Sequence, residues 1–217
     1  MAARPTARAV LALASALSFF AVSAQPAAAA DATAPFLGRW EPMIRSAGGI
    51  GQVLEFRADG TMTQWTVMLV DLNYQVVKGP LLVTIYRHPA SGATESQVAG
   101  LRFEGDTMFQ LHPTSFHKTV FTRKRVGRPQ DDPIVGVWTT PHESGTTAYL
   151  LYTPDGRVVF RLPMRADLGR WTVAGDQLTM TVGSSTTSLR YTMRDDRLVF
   201  DEQGRDVVYT RAEIVDY

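Results

Sequence analysis

The sequence predicts an all-β protein made of two tandem, small, antiparallel up-and-down β-barrels behind a cleaved leader, and three observations carry that prediction. A set of landmarks occurs twice in the same order. Apolar and polar residues alternate with period two, and tight-turn dipeptides interrupt the alternation at short intervals.

The repeat opens on FLGRW, Phe36–Trp40, which returns as IVGVW, Ile134–Trp138. LEFRADGT (Leu54–Thr61) answers LLYTPDGR (Leu150–Arg157), each an apolar stretch running into Asp-Gly. DLNYQVVKG (Asp71–Gly79) answers DLGRWTVAG (Asp167–Gly175), placing Tyr74 opposite Trp171 and Val76 opposite Val173. LRFEGDTMF (Leu101–Phe109) answers YTMRDDRLV (Tyr191–Val199), and VFTR (Val120–Arg123) answers VYTR (Val208–Arg211). Shared order separates duplication from coincidence. The first copy is the longer, its surplus lying between Gly79 and Leu101 around the loop-like HPASGATESQ, His88–Gln97. VGRPQDDP, Val126–Pro133, joins the copies, and its prolines, glycine and charges read as a linker. The expected domains are therefore residues 36–125 and 134–212, with 126–133 between them.

Alternation is clearest in the second copy. QLTMTV sets Leu178, Met180 and Val182 on one face of a strand, and SLRYTM does the same with Leu189, Tyr191 and Met193. Asp59-Gly60 and Asp155-Gly156 tolerate the positive φ of tight hairpin turns; Ala174–Asp176, Glu104–Asp106 and Asp195-Asp196 mark further ones. No dozen-residue window outside the leader combines helical periodicity with caps. Seven or eight short strands per copy suffice to close a barrel, at ~5–6 residues per strand and ~2–5 per hairpin loop, and closure removes exposed edges; a two-sheet sandwich is the nearest competing arrangement. In the first copy VMLV (Val67–Val70) and LLVTIY (Leu81–Tyr86) do not alternate, so such strands are expected to be covered on both faces.

An opening Gly-x-Trp, a strand into Asp-Gly, a middle aromatic strand and a last strand ending in aromatic-x-Arg together resemble the small bacterial lipocalin-like domains. The resemblance spans both copies. It implies that the opening tryptophan lies at the closed end of the barrel beneath an arginine of the last strand, which would pair Trp40 with Arg123 and Trp138 with Arg211. Guanidinium over indole is a cation–π contact of ~0.5–2 kcal/mol, and the arginine's remaining donors suit loose carbonyls at a barrel floor.

Arg4 and Arg8 followed by the apolar run Ala9–Val22 have the form of a signal peptide, with small-x-small cleavage sites before Gln25 and before Asp31. Residues 1–30 are thus expected to be removed on export to a bacterial periplasm or beyond, leaving no membrane span. The chain has no cysteine, which excludes disulfides, thiol catalysis and cysteine-based metal sites. Its formal net charge of +1 gives no reason to expect nucleic acid as a partner. Arginine's excess over lysine, with the alanine-rich leader, fits a GC-rich bacterial genome.

Residues suited to chemistry are few. The four histidines are His88, His112, His117 and His142, and the pair in HPTSFH matches no zinc motif. HESGTT, His142–Thr147, is not a nucleophile elbow. Asp131-Asp132 falls in the linker and Asp195-Asp196 in a turn; GGIG, Gly48–Gly51, lacks the lysine of a phosphate loop. The basic stretch Lys118–Arg125 reads as a charged last strand, and Trp65 has no counterpart in the second copy. No catalytic residue, metal or cofactor is assigned. The expected function is an exported, non-enzymatic binding protein for a small apolar ligand or an envelope partner protein. The alternatives are a protein inhibitor or assembly module acting through its outer surface, and, behind these, a hydrolase using His112, His117 or His142.

Overall fold

A computed structural model describes residues 33–77, 80–87, 92–124 and 132–214. The leader, His88, Arg125 and most of the linker lie outside the described residues. A short 3-10 turn, Ala34–Phe36, precedes fourteen strands: β1 (Gly38–Pro42), β2 (Ile50–Phe56), β3 (Thr61–Val77), β4 (Leu81–Arg87), β5 (Thr94–Glu104), β6 (Thr107–Leu111), β7 (Lys118–Lys124), β8 (Gly136–Pro141), β9 (Thr147–Tyr152), β10 (Arg157–Ala174), β11 (Gln177–Val182), β12 (Ser185–Arg194), β13 (Arg197–Glu202) and β14 (Arg205–Arg211). The all-β class and the antiparallel order expected from the sequence are those observed. Every strand pairs antiparallel with its sequence neighbour, and β1 pairs with β14 to close a ring.

One more pairing crosses that ring. β3 runs antiparallel to β10 from Thr61↔Arg170 to Asn73↔Arg157, with a register shift between Pro163 and Arg165. The crossing divides the ring into two closed circuits that share β3 and β10. The first circuit runs β1-β2-β3-β10-β11-β12-β13-β14; the second runs from β3 through β4, β5, β6, β7, β8 and β9 to β10.

Neither sequence copy closes on itself. β1 pairs with β14 rather than with β7, and β7 pairs with β8, so residues 36–125 and 134–212 do not form the self-contained units expected of them. The reason lies in β3. A self-closed copy needs the chain to reverse between Trp65 and Tyr74, but TVMLVDLNY holds no Gly or Pro and is dense in strand-forming residues. The strand therefore runs on for 17 residues and carries the chain into the other circuit. In the second copy Pro163 stands near the same place, where a β-bulge accommodates its missing N–H and β10 continues to 18 residues.

The cores record the exchange. Around the first, Phe36, Trp40, Leu54, Phe56 and Met62 of copy one pack with Trp171, Leu178, Leu198, Phe200 and Tyr209 of copy two. Around the second, Leu82, Leu101, Met108 and Phe121 meet Ile134, Val135, Trp138, Leu150, Tyr152 and Val158. Each Asp-Gly hairpin also receives a middle strand from the opposite copy. The Trp171 backbone N–H donates to Gly60 O at 3.0 Å and its indole to Arg57 O at 3.1 Å. Symmetrically, Tyr74 donates its N–H to Gly156 O at 2.7 Å and its hydroxyl to Thr153 O at 2.9 Å.

The apolar run in β3 is covered on its second face as expected, whereas the run in β4 is not covered on both, since Leu81 is 41 % exposed. Val67 and Leu69 are buried with Val53 in a third cluster, Trp65 half-buried against it. Charge is buried beside this layer. Arg161 of β10 grips Glu41 of β1 through two bonds, Nε–Oε1 at 2.8 Å and Nη2–Oε2 at 2.6 Å, with both side chains at most 5 % exposed. Its Nη1 reaches Asp71 at 2.8 Å, which Arg45 also holds at 2.9 Å. Arg39 similarly pairs with Glu55 at 3.0 Å, and Trp65 donates its indole N–H to the same carboxylate at 3.2 Å.

These pairs set an acid response. Burial works to raise the Asp71 and Glu55 pKa values, but Arg161 and Arg45 around the first, and Arg39, Trp65 and Arg57 around the second, outweigh it and hold both below the ordinary carboxylate value. A carboxyl with a depressed folded pKa contributes stability above its unfolded pKa of about 4 and loses it as pH falls through the folded value. The melting temperature, followed by far-UV circular dichroism, is therefore expected to fall steeply below about pH 4, and Asp71→Asn should flatten that fall. Equal slopes in the two proteins would show that Asp71 does not contribute.

Candidate functional site: an open cup over an aromatic floor

The floor is built by a device that appears once in each circuit. Trp40 and Trp138 are fully buried, and each donates its indole N–H to a carbonyl four residues earlier, Phe36 O and Ile134 O, at 2.7 Å in both cases. The glycines before them, Gly38 and Gly136, have φ of +104° and +129°, where a side chain would be strained. A Cβ there would also press against an arginine Nη1, at 3.2 and 3.0 Å.

The arginine partners are exchanged relative to expectation. Arg211 lies over Trp40 at 3.9 Å from the ring centre, and Arg123 over Trp138 at 4.2 Å. The predicted pairs Trp40–Arg123 and Trp138–Arg211 are corrected accordingly, because β1 and β7 belong to different circuits. The guanidinium donors satisfy carbonyls of the incoming chain: Arg211 bonds Leu37 O and Pro35 O, and Arg123 bonds Val135 O and Pro133 O. In the first circuit the floor thickens into an aromatic plug, with Phe36 against Tyr191 at 4.7 Å and Trp171 at 5.5 Å between centroids.

At the opposite end the first circuit is open. A cavity of about 350 Å³ is floored by Leu54, Phe200 and Tyr209 and walled by Met180, Val182 and Leu189, with Gln52, Gln64, Ser185, Thr187 and Glu202 completing it. That volume lies within the range of small-molecule sites. Strand register explains the shape. Leu178↔Leu189, Met180↔Thr187 and Val182↔Ser185 put successive inward residues in ever smaller or more polar company away from the floor. The second circuit differs at the same level. Phe160, paired with Leu150, occupies the place Gln64 takes opposite Leu54, and Gln110 donates to the Tyr152 hydroxyl at 2.9 Å. Burial pushes the Tyr152 pKa up to about 12, so that hydroxyl stays protonated.

No protein family, curated protein or solved structure matches this chain.

A larger recess of about 460 Å³ lies between the β1–β2 loop and β3 and includes Met43, Arg45, Leu69, Asp71 and Tyr86. Its charged groups are spent on one another and on Arg161. The cup is the better candidate because its polar groups converge without being used up.

The histidines lie elsewhere. His112 and His117 stand in the β6–β7 connection with rings 6.5 Å apart, and among the described residues no group of three His, Asp or Glu side chains could hold a metal ion. His142 caps the β8–β9 turn, its Nδ1 2.8 Å from Ser144 Oγ in an exposed, local contact. Lys118 and Lys124 rest over Phe109 and Tyr149 at 4.2 and 5.5 Å. Trp65, singled out for lacking a counterpart, stacks beneath Arg39 at 5.5 Å on the buried layer, away from the cup.

Period-two patterning sets Met180, Val182 and Leu189 on the apolar faces of their strands but does not single out Gln52, Gln64, Glu202 or Tyr209. A signal was present for Glu202: it follows Leu198 and Phe200 at period two, a charged residue in phase with core positions.

Proposed function

We propose that the chain is an exported, non-enzymatic binding protein of two intertwined lipocalin-like barrels, which carries a small, largely apolar molecule in the cup of the first circuit. The observation that carries this reading is the contrast between the two circuits: one interior bears Phe160 and a satisfied Gln110–Tyr152 pair, the other holds Gln64 beside a cavity of about 350 Å³. The leader-like residues 1–30 support export into the bacterial envelope or beyond. The duplicated Gly-x-Trp floor with its covering arginine supports the lipocalin-like kinship.

Native mass spectrometry of protein purified from its own compartment is expected to show a copurifying small molecule that organic extraction removes. Gln64→Phe, which introduces the residue found at the equivalent place in the second circuit, should abolish its retention while leaving the melting temperature nearly unchanged. An empty wild-type protein, or undiminished retention in the variant, would discard the carrier reading.

A second reading rests on the outer face of the second circuit. Leu81, Val98, Leu111 and Val120 are each 41–46 % exposed and stand on the adjoining strands β4, β5, β6 and β7. Such a face suits a protein partner, as an inhibitor or assembly module would require. Crosslinking in cells from cysteines placed on that face would capture the partner if this reading holds.

A further inference from the structure

The cup's polar groups define the chemistry of its occupant more narrowly than its volume does, and assigning that chemistry rests on the carrier reading of the cup. Tyr209 is 8 % exposed, lines the cup, and packs edge-on to Phe200 at 5.5 Å. Its hydroxyl makes no hydrogen bond to a described residue and is not among the buried polar atoms, so it is left to solvent or to an occupant. Burial, and then the negative charge of Glu202, push its pKa up to about 12, so it is a neutral hydroxyl able to accept as well as donate.

Glu202 is the one charged side chain lining the cup among the described residues. It makes no ion pair among them; Arg205, opposite it in the β13–β14 register, is exposed and does not bond to it. The cup thus has an apolar floor, a carboxylate and an unspent hydroxyl near it, and no cation among its described lining residues.

We propose that the occupant is a cationic amphiphile: an apolar body against Leu54, Met180 and Phe200, with a protonated amine donating to the Glu202 carboxylate and the Tyr209 hydroxyl. An ammonium head supplies the donors that both oxygens lack. An anionic head would bring like charge against Glu202 with no cation to offset it, and a neutral head would desolvate the carboxylate without pairing it. Both alternatives are therefore penalised, so the selectivity comes from repulsion as much as from attraction.

Isothermal titration calorimetry of the full mature chain with decylammonium, decanol and decanoate, each below its micellar concentration, tests this. Decylammonium is expected to bind at least about tenfold more tightly than decanol, as a hydrogen bond to a charged group implies, with decanoate weakest. Glu202→Gln should erase the preference for the ammonium while leaving decanol affinity unchanged, and its far-UV spectrum and melting temperature confirm that it folds. Decanol or decanoate binding as well as decylammonium, or a preference that survives in Glu202→Gln, would overturn the amine assignment while leaving the carrier reading standing. Failure of all three to bind would overturn both.

Discussion

A chain cut once within residues 126–131 is expected to remain a single particle. β1 and β3 of the first fragment are closed by β14 and β10 of the second, and β8 of the second is closed by β7 of the first. Each core draws on both fragments as well, so separating them would open both at once. Size-exclusion chromatography of the cut protein should give one peak at the mass of the uncut chain. After separation in denaturant, each fragment alone should lack the near-ultraviolet dichroism of packed aromatics, and mixing should restore it. The unpaired edges of β1, β3 and β10 should also make the isolated fragments prone to aggregation. Two fragments that each fold as monomers would show that a copy can close on itself, and would remove the exchange of strands.

Trp138→Ala is expected to destabilise the protein by about 3–5 kcal/mol, the range for deleting a large buried aromatic. The indole is fully buried, packs against Phe103 at 5.9 Å and lies under Arg123, whose guanidinium then faces a cavity instead of a ring. Trp40→Ala should cost a similar amount, since Trp40 has the same hydrogen bond and the same kind of cover. Because β3 and β10 are paired along most of their length and serve both circuits, chemical denaturation should lower both circuits together in one transition. A loss below about 1 kcal/mol, or two resolved transitions, would contradict this account of the floor. Arg123→Leu in the same background provides a double-mutant cycle for the cation–π contact, which acts only when both partners are present.

The candidate site was partly legible before any coordinates. Period-two patterning put Leu178, Met180, Val182 and Leu189 on one face, and that face lines the first circuit. Gln52, Gln64 and Glu202 were hidden because a polar residue on a short strand looks the same whether it points at water outside or into a cup. Only the register of the neighbouring strands tells the two apart. The histidines stand out by residue type, yet the structure leaves His112, His117 and His142 in surface connections outside the cup, with local contacts only.

By itself the sequence determined what depends on near neighbours along the chain: strand after strand, the hairpin turns at Asp59-Gly60 and Asp155-Gly156, and the duplication of a Gly-x-Trp floor with an arginine to cover it. Tertiary structure alone decided which arginine covers which tryptophan. Two copies of one pattern present nearly identical strand edges, so local preference cannot choose between closing in place and trading partners. That choice was made by the uninterrupted β3, whose missing reversal sends half of each copy into the other's core.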